Sequence, residues 1–171
     1  MRKLLLAVIV AFTTYTASAA ETFKAGSFTF EKPASFSLKD IPQGGMRAAQ
    51  LEYTGKDGKA EVIFYHFGQG QGGGAQANAE RWLKMFQEPK EKINSKIEKK
   101  KIGATEVTFV EAEGTYMSGM PGGPKTPQPG SKLTGAILES PEGNVFARMT
   151  GPAATVKAAD ADFRKMIESA K

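Results

Sequence analysis

Two runs of mostly apolar residues, Met46–Tyr53 and Ala60–Phe67, flank Gly55-Lys56-Asp57-Gly58, and this arrangement narrows the fold more than any other stretch of the chain. The Asp-Gly pair tolerates the positive φ of a tight turn, so the two runs read as a β-hairpin. Side chains alternate along a strand, which puts Val62 and Phe64 on one face and Ile63, Tyr65 and Phe67 on the other. Both faces are apolar. Such a strand belongs in the middle of a sheet that is covered on both sides.

The rest of the chain supplies more strands and two covers. Thr22 to Phe30 alternates as a first strand that Glu31-Lys32-Pro33 ends, and Phe36 and Leu38 resume the pattern. After Gly68-Gln69-Gly70-Gln71-Gly72-Gly73-Gly74, apolar residues at 75, 79, 82, 83 and 86 predict a helix from Ala75 to Gln87. The lysine-rich stretch Lys90–Lys101 leads into a strand over Ala104–Glu113, and a Pro/Gly-rich loop from Ser118 to Ser131 follows. Leu133–Glu139 and Asn144–Thr150 read as a second hairpin around Pro141-Glu142-Gly143. A closing helix over Ala153–Ser169 carries Val156, Ala159, Phe163, Met166 and Ile167 on one stripe. The expected class is α+β, a mostly antiparallel sheet with packed helices.

The first twenty residues read as an export signal, with Arg2 and Lys3, an apolar stretch from Leu4 to Phe12, and small residues at 17–20. The apolar stretch is shorter than the roughly 20 residues a bilayer needs, so no transmembrane segment is expected once the signal is removed. A signal peptide over 1–20 and one α+β domain over 21–171 follow, exported to the periplasm or beyond. The chain has no cysteine, so that domain has neither disulfides nor thiolate ligands to lean on. Its formal charge of +5 includes Arg2 and Lys3, which leaves a mildly basic mature domain. Export argues against nucleic acid as a partner and favours an unidentified protein or envelope component.

Phe28-Thr29-Phe30-Glu31-Lys32-Pro33-Ala34-Ser35-Phe36, the hairpin after it and the closing helix resemble the PsbP/Mog1-like α/β sandwich. The resemblance implies that fold and, by analogy, a role in binding protein partners. Val62 through Gly73, Asn78, Arg81-Trp82 and the stretch from Thr150-Gly151-Pro152 to Phe163 are similar to small exported proteins of planctomycete-like bacteria. That similarity brings no activity with it.

Several features carry candidate chemistry. Gly68-x-Gly70-x-x-Gly73 matches the dinucleotide fingerprint, yet the region about 20 residues on is Lys90-Glu91-Lys92 rather than a strand ending in an acid, so no nucleotide cofactor is expected. A weaker version has the amides at the start of the following helix, near Ala75, bind a carboxylate or phosphate. His66 is the lone histidine and excludes any site that needs two imidazoles. It is the one candidate for a small hydrolase or transferase, although no G-x-S-x-G elbow accompanies it. Met117 and Met120, with His66, offer soft ligands for Cu(I), against the plainer role of methionine as a packing filler.

Lysines 84, 90, 92, 96, 99, 100 and 101 face only Glu88, Glu91 and Glu98 in their stretch, a solvated face or a surface for anionic lipid or polysaccharide. Glu106, Glu111 and Glu113 read as solvent-facing. The expected function is a non-enzymatic binding or accessory domain of the cell envelope, with no catalytic residue, metal or cofactor. Its ligand-binding candidates are His66, Gly70, Gly73, Met117 and Met120, and its expected contact loops are Gly68–Gly74 and Ser118–Ser131. A hydrolase or transferase using His66 and a structural envelope protein are the alternatives.

Overall fold

The computed structural model describes residues 20–42, 44–119 and 122–171; the leader expected over 1–20 lies outside them except for Ala20. In chain order the strands are β1 (Thr22–Ala25), β2 (Phe28–Glu31), β3 (Phe36–Lys39), β4 (Arg47–Gly55) and β5 (Gly58–His66), then helix α1 (Ala75–Leu83). There follow β6 (Lys96–Ile102), β7 (Thr105–Ser118), β8 (Thr126–Leu138), β9 (Val145–Pro152) and helix α2 (Ala153–Glu168). Seven strands form one antiparallel sheet in the order β3-β4-β5-β9-β8-β7-β6, and β1 pairs with β2 in a separate ribbon.

The expected central strand is central. β5 lies between β4 and β9, with Val62 and Phe64 in the core beneath α2 and Tyr65 and Phe67 against the α1 side. On the first face Phe23, Phe30, Phe36 and Phe64 meet Phe163, Met166 and Ile167 of α2. On the second, Trp82 and Leu83 of α1 join Phe86, Ile93, Val110, Leu133, Ile137 and Phe146. The chain from β5 to β6 crosses the whole distance between them, because β6 is the edge strand beyond β9, β8 and β7. That crossing carries α1 over the sheet. It also removes the dinucleotide reading, since β5 and β6 are not adjacent parallel strands.

Five expectations are corrected. Thr22–Phe30 is not one strand: Gly26, at φ +58°, turns it back so that Phe23 pairs with Phe30 and both reach the core. α1 stops at Leu83, because residues 85–87 leave the helix to pair with β7. Met117 N–H donates to Met85 O at 2.8 Å and Gln87 N–H to Thr115 O at 2.9 Å. The lysine stretch is not a connection but contains β6, whose charged side chains guard an exposed sheet edge.

The loop expected over Ser118–Ser131 is mostly strand, with Met117 opposite Pro127 and Ser118 opposite Thr126. Pro127 and Pro129 lack donors on the same edge of β8. Since the ladder to β7 survives, the missing donors face outward and leave that edge unable to recruit another strand. β9 pairs with β8 only as far as Ser131, so Thr126–Gly130 extends past β9 as an exposed arm about 16 Å long that pairs with β7 alone.

Glu111 is also not a solvent-facing acid. It lies under α2, where Lys132 and Arg164 each approach within 2.5 Å, and Arg164 also holds Asp160 at 2.9 Å. Burial alone raises the Glu111 pKa, but the Lys132 hydrogen bond and the charges of Lys132 and Arg164 outweigh it, so the net shift is downward. A carboxylate with a lowered folded pKa adds stability above its unfolded pKa, about 4.3 for glutamate, and that contribution drains away as pH falls through the lower folded value. In Glu111→Gln, the urea midpoint is expected to fall less steeply between pH 5 and pH 2.5 than in the parent, where the pH limits are roughly set by those carboxylate values. Equal slopes in the two proteins would contradict this.

Candidate functional site

Three turns meet at the end of the sheet where β5 stops and β9 begins. They are the Gly26 corner of the β1–β2 ribbon, the glycine stretch 68–74, and the turn 139–144 between β8 and β9. Ser27 Oγ and Ser140 Oγ lie 3.1 Å apart and join the first to the third. Asn144 joins the third to the second: its side-chain amide donates to Gly73 O at 3.4 Å, and its Oδ1 accepts Ser140 N–H at 3.2 Å. Between the last two turns lies a cleft of about 300 Å³ lined by Gly70, Gln71, Gly73, Gly74, Ser140, Gly143 and Asn144.

Asn78 anchors the glycine stretch from below. The residue is only 2% exposed, its amide donates to Gly72 O at 2.8 Å and Gly74 O at 3.0 Å, and Arg81 donates to its Oδ1. Gly72 rests on aromatic rings, where an added methyl would meet Phe67 at 2.8 Å and Phe146 at 2.9 Å. The Gly72–Gly74 half of the glycine stretch is therefore pinned in place. Replacing Asn78 with alanine removes its side-chain hydrogen bonds to the half-buried Gly72 and to Gly74, whose carbonyl keeps the residue-78 N–H, at an expected cost of about 2 kcal/mol, or about 1 for each bond. Urea unfolding measures the loss, and faster amide exchange at Gly72–Ala75 localises it. A change within about 0.5 kcal/mol would mean that the loop keeps its shape without the amide.

The expected site residues divide between two ends of the molecule. Gly70 and Gly73 line the cleft, and His66 lies beneath Gly143, so these three belong together. Met117 does not join them. His66 pairs with Val145, Val145 with Leu138 and Leu138 with Val107, while Met117 is ten residues further along β7, about 33 Å away. Met117 is half-buried at the base of the arm, and Met120 lies outside the described residues. The thioether and imidazole ligands imagined for copper are therefore not brought together. Among the described residues no group of three His, Cys, Asp or Glu is placed to hold a metal.

His66 has no proton relay either. Its Nε2 is buried and lacks a hydrogen-bond partner among the described residues. It is wedged so closely between two turns that a methyl on Gly26 would lie 2.7 Å from its Cδ2, and one on Gly143 would lie 2.9 Å from its Nε2. Among the described residues no hydroxyl or carboxylate hydrogen-bonds to it, to be activated or to orient it. The cleft itself carries no charged side chain. Its walls are main-chain amides and carbonyls with Gln71, Ser140 and Asn144, a surface that recognises a neutral polar group or a peptide backbone through hydrogen bonds.

Sequence reading missed Ser140 and Asn144 as parts of this site, because an asparagine after Gly143 looks like ordinary turn chemistry. Their partners are 113 and 71 residues away in the chain. No helix among the described residues is long and apolar enough to cross a membrane.

Compared with solved structures, the chain superposes on cyanobacterial PsbP (CyanoP) from Synechocystis sp. PCC 6803 with a TM-score of 0.55, over 95% of this chain and 98% of that one. It has the PsbP-like α+β sandwich fold. At 8% sequence identity, the PsbP-like likeness is one of fold alone. A protein of unknown function from Pseudomonas aeruginosa superposes at a TM-score of 0.45 with 9% identity, covering 89% of this chain and 96% of that one. No family model and no curated protein matches the chain, and the expected similarity to small exported proteins of planctomycete-like bacteria finds no support in these comparisons. The PsbP-like sandwich brings no catalytic residue to this sequence.

Proposed function

We propose that this chain is an exported, non-enzymatic binding or accessory domain of the cell envelope, and that it holds its partner at the cleft between the glycine stretch and the β8–β9 turn. The observation that carries the reading is the cleft itself: an uncharged recess between the glycine stretch and the β8–β9 turn, the latter bonded both to that stretch and to the Gly26 corner. Rigid loops displaying hydrogen-bonding groups suit recognition, since little freedom is lost on binding. Catalysis has less to work with, because among the described residues neither an acid nor a hydroxyl hydrogen-bonds to His66. Export rests on the leader-like residues 1–20.

The test is affinity capture from envelope extracts of the host, using residues 21–171 and two variants. Gln71→Arg puts a bulky charge in the cleft from an exposed position, and replacing Ser118–Thr126 with Asn-Gly shortens the arm without disturbing the cleft. A partner retained by the parent and the shortened arm but lost by Gln71→Arg supports the cleft. Loss on the shortened arm alone moves the contact to the other end of the molecule, and no specific partner on the parent ends the binding reading.

A further inference from the structure

The helices leave part of the sheet open. α2 packs on one face, and on the other α1 lies over β7, β8 and β9 through Trp82 and Leu83, so the α1 side of β4 and β5 has no helix over it among the described residues. Tyr65 and Phe67 stand at the border of this open part, both half-buried, with parallel rings whose centroids are 6.2 Å apart. Three arginines surround the pair. Arg47 is opposite Tyr65 in the β4–β5 ladder, and Arg148 of β9 holds its guanidinium over the Tyr65 ring at 5.9 Å. Arg81 of α1 belongs to the Phe67 end: it donates to Asn78, Asn78 holds Gly72, and Gly72 rests on Phe67.

None of the three arginines has an ion pair among the described residues. Arg47 donates to Gln50 Oε1 at 2.8 Å and Arg81 to the Asn78 side chain. The half-buried Arg148 donates to Met85 Sδ at 3.1 Å, a weak acceptor that the Tyr116 hydroxyl also approaches at 3.9 Å. Glu61, on the same side of β5, accepts Gln50 at 2.7 Å and stays charged, so it offsets one guanidinium and leaves two in excess. The other acids here are matched already: Glu52 is shared by Lys39 and Lys59 at 3.2 and 3.0 Å, and Glu80 borders, together with Lys84, a different cleft on the far flank of α1.

We propose that this surface docks a segment of a partner protein that carries a carboxylate beside an apolar side chain, by a contact separate from the hydrogen-bonding cleft. A carboxylate matches the planar fork of a guanidinium, and the Tyr65–Phe67 pair offers its apolar neighbour a rigid face. Arginine with tyrosine, phenylalanine and methionine is the composition of protein-binding centres, whereas a polyanion is held by a broader field of charge than two guanidiniums supply. A bilayer needs projecting apolar side chains, and both rings are half-buried.

The test selects peptides from a random phage-displayed library on the purified protein, with the double variant Arg47→Gln, Arg148→Gln as counter-selection. The most enriched peptide is then synthesised with a fluorescent label and titrated by anisotropy against the parent, that double variant and the single variant Arg47→Glu, which changes an exposed side chain only. Gln71→Arg, which blocks the cleft, and a control carrying Lys56→Gln and Lys99→Gln at exposed sites complete the set. The enriched peptides are expected to carry Asp or Glu next to an aromatic or aliphatic residue. Binding is expected to weaken roughly tenfold or more in both arginine variants and less than about twofold in Gln71→Arg and in the lysine control. No enrichment over the counter-selected variant, enriched peptides without acids, or a loss in the lysine control or in Gln71→Arg as large as in the arginine variants would overturn the proposal. So would tighter binding to phosphatidylglycerol vesicles than to the peptide.

Discussion

Replacing Gly135 with valine is expected to lift α1 off the sheet and to cost about 3 kcal/mol, the upper part of the usual range for overpacking. Gly135 sits in the middle of β8 with Val110 on one side and Arg148 on the other, and Trp82 lies directly on it. A Cβ added there would be 2.3 Å from Trp82 Cζ3 and 2.8 Å from Cε3, closer than any real contact, so the indole has to move. It has little room, being 3% exposed and packed with Leu83, Phe86 and Leu133. Glycine in a strand interior normally costs stability, and here the ring seated over it compensates. Urea unfolding followed by tryptophan fluorescence reads both effects, since Trp82 is the single tryptophan: a lower midpoint and a red-shifted native emission. A native emission unchanged from the parent would show that Trp82 does not depend on the gap.

The second large effect is expected from Phe30→Ala, at about 3–5 kcal/mol. Phe30 is fully buried, and its ring centroid is 5.0 Å from that of Phe64 and 5.4 Å from that of Phe23. The β1–β2 ribbon it anchors makes few other bonds. Thr29 and Lys171 exchange backbone hydrogen bonds at 3.0 and 3.2 Å, and Glu31 N–H donates to Ser169 Oγ at 2.9 Å. Removing the ring should therefore release β1, β2 and the C-terminal residues as a unit, with amide exchange at Phe23 and Phe30 rising far more than at Val62 or Phe64. Because Ser27 reaches Ser140 from this ribbon, the β8–β9 turn should loosen with it. A loss below about 1 kcal/mol, or uniform exchange across the sheet, would mean the ribbon is held by something other than its aromatic packing.

Both effects arise where chain reading and structure part company. Asp57-Gly58 between two alternating runs specified the β4–β5 hairpin, and the doubly apolar β5 specified a covered central strand, because turn chemistry and period-2 alternation act between near neighbours. The same holds for β8–β9 and for α2, whose apolar stripe meets the core as expected. Gly26 was equally visible, but with a strong alternation around it nothing local said that the chain should turn back rather than run on. The reversal is favoured because it puts Phe23 and Phe30 against Phe64, 34 residues beyond Phe30.

The site was legible in part. Gly70 and Gly73 were picked out by glycine content, and His66 by being alone, and these do come together. Met117 was grouped with His66 as a soft ligand for Cu(I), and only the strand order showed that the length of β7 separates them. Ser140 and Asn144 became cleft walls through partners far off in the chain. The lysines of β6 gave a charge count but no long-range partner, since Lys100 reaches Glu168 only because α2 lies over that side of the sheet. By itself the sequence determined the class of fold, its principal hairpins, the closing helix and the charge of its lysine stretch, all of them consequences of local alternation, turn chemistry and composition. The tertiary structure alone decided the strand order, the ribbon at the start, the arm in place of a loop and the meeting of three turns around His66, because each depends on burying side chains against residues remote in sequence.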